Sequence, residues 1–264
     1  MKIKFPQSYS IDELNGKFLW RYIDLYRLIN LIQSQQLYFT RFDHFEDGVE
    51  GLTGCRGMKF FTQGQAITKE NINKEIDEKT QDIIIAGDER RRKEYSELLG
   101  KIQQTQFASC WFMGDRESIA MWKLYSTKGG VAIKFKARQL TDTIIASAKS
   151  ITNTDFGIFY YGPVSYKNIW PFDPEETLEN KYNGLNKDKS YSFENEFRFV
   201  AVVSSDKKGT YSSFKLPIGQ IYSFDLEVIA NPFMEHWQFE SLKQLLRFYH
   251  FEDKLLKSKM DVRK

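Results

Sequence analysis

The chain has 264 residues, room for one large domain or two small ones at the usual ~100 to 200 residues per domain. Its 38 Lys and Arg against 35 Asp and Glu leave a net charge of +3, which excludes a globally polybasic nucleic-acid binder or an acidic tail. An aromatic content of 16% excludes a disordered chain, and the two cysteines, Cys55 and Cys110, exclude a disulfide framework and favour a reducing, cytoplasmic setting.

The opening MKIKFPQSYSIDELNGKF has no apolar run before a small-residue cleavage site, and no stretch of about 18 apolar residues follows. Neither secretion nor membrane spanning is expected. Residues 17–24 read as a strand, and Leu25, Leu28, Ile29 and Ile32 then recur at helical spacing. A second strand over 36–40 ends in the acidic loop RFDHFEDGVEGLTG, 41–54. From 63 to 106 the only aromatic is Tyr95, and the patterns over 71–85 and 88–103 predict two exposed helices of an insertion. Arg90, Arg91, Arg92 and Lys93 within it read as a solvated face, with phosphate contact as the alternative.

Residues 106–112, QFASCWF, read as a buried strand. Asp115 is then the expected N-cap of a helix that stacks Ser118, Met121, Trp122 and Tyr125, with Gly129 and Gly130 as its stop. Val131, Ile133 and Phe135 alternate with Ala132, Lys134 and Lys136, as in a half-buried strand. Strands are expected over 157–167, 192–203, 210–216 and 221–229, then a helix over 233–248 with Leu242, Leu245 and Leu246 on one stripe. A charged tail, 251–264, is expected to fray. Without a regular βαβα alternation, the economical class is a single α+β domain: a mixed or largely antiparallel sheet with flanking helices and the helical insertion.

The segment YSFENEFRFV, 191–200, carries the most chemistry. Read as a strand, it sends Glu194, Glu196 and Arg198 to one face and Phe193, Phe197 and Phe199 to the other. An ordinary edge strand with an ion-paired polar face shows the same pattern. A carboxylate beside an anomeric carbon stabilises the positive charge of a breaking glycosidic bond, and a paired acid activates the acceptor. Arg21 supplies a cation for pyrophosphate, and Tyr22, Trp111, Trp122 and Tyr125 supply an aromatic wall, although each aromatic also suits core packing.

Other chemistries are less well supplied. Asp43, Glu46, Asp47 and Glu50 with Glu194 or Glu196 are a possible Mg²⁺ set for a hydrolase or nuclease, but no lysine completes a nuclease pattern. His44, His236 and His250 are too scattered from Cys55 and Cys110 for zinc spacing, so no metal site is implied. Cys110 reads as a small core residue without a base.

The ordered blocks LWRYID, LYFTRFDHFEDGVEG, FASCWF, IAMWKLYSTKGGVAIKF, YGPVSY and SFENEFRFV resemble the bacterial domain-of-unknown-function family 2971. The chain order Arg21, Ser109, Glu194 and Glu196 is also similar to the R-S-E class of ADP-ribosyltransferases. That resemblance implies an ADP-ribosyltransferase-like fold and NAD as substrate, with Arg21 on the phosphates or ribose and Ser109 on the nicotinamide ribose. Glu196 would stabilise the oxocarbenium ion and Glu194 would orient the acceptor. Tyr22, Trp111, Trp122, Tyr125 and Arg198 complete the expected nucleotide site. The implied activity is cleavage of the nicotinamide glycosidic bond, with transfer of ADP-ribose to a nucleic acid, a protein or water. Departures from the pattern are Ser109-Cys110-Trp111 in place of Ser-Thr-Ser, and Arg198 two residues after the catalytic acid. The alternative is a noncatalytic nucleotide-binding or sensor module in bacterial defence or stress response, with an antitoxin or other defence partner possible in either case.

Overall fold

A computed structural model describes residues 3–6, 9–151, 155–169 and 182–262. In chain order these form β1 (Phe18–Ile23), α1 (Leu25–Ser34), β2 (Gln36–Arg41), α2 (Arg56–Gln63), α3 (Glu78–Gln103), β3 (Gln106–Met113), α4 (Ile119–Tyr125), β4 (Val131–Lys136) and α5 (Ala137–Lys149). Then follow β5 (Phe156–Pro163), β6 (Ser165–Lys167), β7 (Asn186–Asp188), β8 (Glu196–Val203), β9 (Ser213–Pro217), β10 (Leu226–Ala230), α6 (His236–Phe248) and β11 (Leu255–Lys257). The fold is α+β, as expected. Its main sheet runs β11-β10-β4-β1-β3-β2-β9, with β8 between β3 and β5, and every pairing is antiparallel except β10 with β11.

Both β1 and β2 pair with the same edge of β3. Leu19 and Trp20 face Met113 and Phe112, whereas Thr40 and Arg41 face Ala108 and Phe107. The two strands therefore diverge beside Ser109–Trp111, and Arg21 spans the divergence. Its guanidinium donates to Tyr38 O on β2 at 3.2 Å and to Ser109 Oγ on β3 at 3.3 Å.

Strand alternation gives the sheet two unlike faces. Phe107, Trp111, Phe135, Phe197 and Phe199 enter the main core, covered by Leu28 and Ile32 of α1, Leu140 and Ile144 of α5, and Leu242 and Leu246 of α6. The other face carries two smaller clusters: Trp20, Tyr22, Met121 and Trp122 under α4, and Phe42, Tyr160, Leu185 and Val200 beneath the 41–55 loop and residues 182–195.

Several expectations are corrected. The 63–106 insertion holds one helix, α3, in place of two, because Asp88 continues the helix. Its carboxylate pairs with Arg92 one turn on at 2.6 Å and accepts the Ile67 amide at 3.2 Å. Arg92 is not on a solvated face: its guanidinium donates to Phe61 O, Gly64 O and Gln65 O at 2.7, 3.0 and 2.7 Å, satisfying carbonyls at and just past the end of α2. The N-cap of α4 is Ser118, whose hydroxyl accepts the Met121 amide, and not Asp115. Helix α5 was not expected, although Ala137, Leu140, Ile144 and Ala148 form its buried stripe. The tail does not fray over its described part: β11 pairs with β10, and Glu117 accepts from Ser258 Oγ and the Lys259 amide. Residues 263–264 of the expected tail lie outside the described residues. No described helix is long and apolar enough to cross a membrane.

Arg92→Ala removes a charged clamp at a helix end, where each hydrogen bond to a charged group contributes about 1.5 to 3 kcal/mol. The expected result is faster amide exchange in α2 and residues 61–67, measured by hydrogen–deuterium exchange, with the amides of β8 unchanged.

Candidate functional site

Five charged side chains meet on the face of β8 opposite the main core. The strand alternation that sends Phe197 and Phe199 into that core turns Glu196 and Arg198 the other way. The strand begins later than expected: residues 189–194 form a 3-10 turn, and Asn195, at φ 39°, swings the chain into β8. Asparagine tolerates that left-handed conformation better than most side chains. Phe193 is consequently exposed and does not pack with Phe197 and Phe199.

Lys187 on β7 joins the two acids, donating to Glu194 and to Glu196 Oε1 at 2.8 Å. Arg198 grips Glu196 with Nε at 2.6 Å and Nη2 at 2.9 Å, pairs with Glu50 through Nη1, and donates to Gly184 O at 3.1 Å. Glu50 also faces Lys187 at 3.7 Å. Tyr125, at the end of α4, donates its hydroxyl to Glu194 Oε1 at 2.5 Å, and the Glu196 amide donates to Tyr166 Oη at 2.8 Å. Gly184 is required for the close approach here, since a Cβ would stand 2.8 Å from Tyr160 Oη and 3.0 Å from the Phe42 ring.

All five charged residues are buried, Arg198 completely and Glu194 to 2% exposure. Three carboxyl groups face two cations, so the cluster carries one negative charge when all three are ionised and none when one keeps its proton, and the proton affinities of the two central acids move apart. Burial, aided by the hydrogen bond and charge of Glu196, raises Glu194 from 4.5 to about 7. Burial also opposes the charge of Glu196, but Arg198 outweighs it and holds that acid well below the usual carboxylate range. Glu50 is raised by burial despite Arg198 and Lys187. Lys187 is raised because Glu196 and Glu50 more than offset its own burial. A carboxyl and a carboxylate held two residues apart with divergent proton affinities have the chemistry that an acid and a base would need.

The other expected site residues divide by face. Tyr22 and Trp122 share the Glu196 face, edge to face at 4.9 Å, and are committed to packing. Tyr22 Oη accepts the Ser118 amide at 2.9 Å and Trp122 Nε1 donates to Glu117 at 3.0 Å. Tyr125 is 45% exposed while its hydroxyl holds Glu194. Arg21, Ser109 and Trp111 lie together elsewhere. Trp111 Nε1 donates to Ser109 Oγ at 3.1 Å, and the Arg21 guanidinium lies 5.3 Å from the Trp111 ring. The register that pairs Ser109 with Phe199 and Cys110 with Arg198 turns the serine hydroxyl away from the carboxylates. The expected meeting of Arg21, Ser109 and Glu196 in one hollow is not formed. Arg198 is turned into the cluster, hydrogen-bonded to Glu196 and Gly184 O and ion-paired with Glu50, as a counter-ion.

The acids of the 41–54 loop also part company. Asp43 pairs with Arg41 at 2.6 Å, Asp47 accepts the Val49 amide at 3.0 Å, and Glu50 turns inward to Arg198. Among the described residues no group of three His, Cys, Asp or Glu side chains is arranged to hold a metal ion. Burial raises the Cys110 thiol, leaving it a poor nucleophile. Sequence reasoning missed Lys187, which sits in a polar run without periodicity, and the inward turn of Glu50.

The raised affinity of Glu194 makes stability pH-dependent. The folded chain keeps a proton up to about pH 7 that the unfolded chain releases near 4.5, so stability falls as pH rises through that window. Glu50 acts in the same direction, and the depressed Glu196 contributes stability that is lost only in acid. Glu194→Gln mimics the protonated group, and the expected result is a shallower decline of melting temperature between about pH 5 and pH 8. A slope equal to that of the wild type refutes the assignment.

Residues 121–199 match the model of a family described as a protein of unknown function, DUF2971. The matched span opens at Met121 in α4 and closes at Phe199 in β8, so it contains Tyr125, Lys187, Glu194, Glu196 and Arg198 but not Arg21, Glu50 or Ser109. Comparison with curated proteins and with solved structures returned no match.

Proposed function

We propose that the chain is an ADP-ribosyltransferase-like enzyme that cleaves the nicotinamide glycosidic bond of NAD and transfers ADP-ribose to a nucleic acid, a protein or water. The observation that carries this is a buried cluster of three carboxyl groups against two cations, with Glu196 held anionic and Glu194 raised to about 7, which leaves one negative charge once Glu194 and Glu50 ionise. A cationic substrate supplies the charge that the cluster lacks, and a low-dielectric setting strengthens that attraction.

In this scheme the bond between the ribose anomeric carbon and the pyridinium nitrogen breaks. The electron pair stays on nitrogen, neutral nicotinamide leaves, and positive charge passes to the ribosyl oxocarbenium ion. Glu196 stabilises that ion. The acceptor oxygen or nitrogen then bonds to the anomeric carbon while its proton passes to ionised Glu194. Tyr125 orients Glu194 through its hydroxyl, and its partly exposed ring offers a stacking surface for the flat leaving group. Arg21 and Ser109 brace the divergence of β1 and β2 and take no part in the chemistry.

A noncatalytic nucleotide-binding module is the second reading. It is favoured by the internal pairing of every charge in the cluster, and by two cavities that lie elsewhere. One, of about 560 Å³, is bordered by Leu14, Lys136 and Arg138, and the other, of about 210 Å³, by Asn231, His236 and Lys257.

Nicotinamide release from NAD by the purified protein separates the two. The enzyme reading expects release that rises with pH through about 7 as Glu194 ionises. It also expects a loss of about 100-fold or more in kcat for Glu196→Gln, the scale of a lost transition-state contact. Binding of NAD without release supports the module. A folded protein that neither binds nor cleaves NAD overturns both.

A further inference from the structure

Residues 182–195 cross the site face as a strap. Tyr182 stacks on Tyr160 at 4.8 Å, and the Gly184 amide donates to Tyr160 Oη at 3.3 Å while its carbonyl accepts from Arg198. β7 pairs in parallel with β6, and from it Lys187 reaches into the cluster. Its ammonium touches Glu194 and Glu196, faces Glu50 at 3.7 Å, and lies 4.5 Å from the Tyr191 ring. Carboxylates on one side and an aromatic ring on another are the surroundings that a cationic substrate centre requires. Lys187 and Glu194 both come from the strap, Lys187 from β7 and Glu194 from the 3-10 turn that follows it, whereas Arg198 is fixed in the middle of a strand paired on both sides.

We infer that the Lys187 ammonium is a built-in competitor, occupying the seat of the substrate's cationic centre, so that β7 must withdraw it, with Glu194 and Tyr191 left in place, before a cationic substrate binds. This regulation rests on the proposed glycosidic chemistry for its meaning, but the occupied seat itself is a statement about cation binding. Two positive centres cannot share one seat a few ångströms across, because their repulsion grows as the dielectric falls. The remaining cation, Arg198, has both acids it needs in Glu50 and Glu196, so withdrawal of Lys187 leaves Glu194 to receive the incoming charge. Lys187 is then neither a catalytic residue nor a passive stabiliser.

The test uses the full chain and the 1-methylnicotinamide cation, with neutral nicotinamide as control, in isothermal titration. Lys187→Met is expected to bind the cation at least tenfold more tightly than the wild type and nicotinamide no more tightly, while Lys187→Arg stays at the wild-type level. A purely structural role lowers the melting temperature and leaves cation affinity unchanged or weaker, and that result overturns the inference. Should Lys187→Met fail to fold, Lys187→Gln replaces it, and wild-type hydrogen exchange gives a further arm. Saturating cation is expected to speed exchange of the 186–188 amides by about tenfold, and unchanged exchange there, or no binding, again overturns it. Tighter cation binding by the variant with no nicotinamide release from NAD by either protein sinks the glycosidic reading and leaves the seat standing. Release by both, with equal cation affinity, does the reverse.

Discussion

The bidentate pairing of Arg198 with Glu196 is the constraint on which the site depends. A guanidinium without solvent exposure needs hydrogen bonds and a counter-charge, and here Glu196 and Gly184 O accept from it while Glu50 pairs with its charge. Breaking a buried pair by removing one partner typically costs about 3 to 5 kcal/mol, because the other charge is left uncompensated. The pairing therefore holds two otherwise separate pieces of chain to one strand, the acidic loop through Glu50 and the strap through Gly184 and Lys187, and the strap in turn holds α4 through the contact of Tyr125 with Glu194. Replacing such a network with apolar groups is often neutral for stability, so its specific value lies in position and proton affinity.

A second consequence follows from the unlike faces of the sheet. The main-core face is filled by aromatic and aliphatic side chains under α1, α5 and α6, while the opposite face is covered by short elements and loops. Long helices bury a wide apolar stripe and leave little room for polar groups, whereas loops bring isolated charged side chains inward with their backbone still able to find partners. The divergence of β1 and β2 from one edge of β3 would expose unpaired backbone and a gap in the sheet. Arg21 fills it by reaching a backbone carbonyl and a hydroxyl, at the cost of desolvation that lowers its own affinity for protons to about 10.

The fold class and most strands were legible because period-two alternation records which face is buried. Val131, Ile133 and Phe135 mark β4, and Phe197 and Phe199 mark the core side of β8. Elements stabilised by tertiary partners were less visible. β11 forms because β10 lies beside it and Glu117 holds the residues that follow, and neither condition is local. Asp88 looked like a boundary and became the middle of α3 once Arg92 and the Ile67 amide satisfied it. Within the site, Glu194, Glu196, Arg198 and Tyr125 were identifiable from spacing, whereas Lys187 carried no pattern.

What the sequence by itself determined is the alternation along 196–203 and the presence of two acids and a base near its start, since side-chain direction on a strand depends on parity alone. The tertiary structure alone decided that Glu50 and Lys187 join them, that Ser109 faces away, and that Glu194 holds its proton toward neutrality. Those outcomes depend on burial and on charges brought from distant parts of the chain. Coulomb interactions and desolvation act through space, and the order of residues along the chain does not encode them.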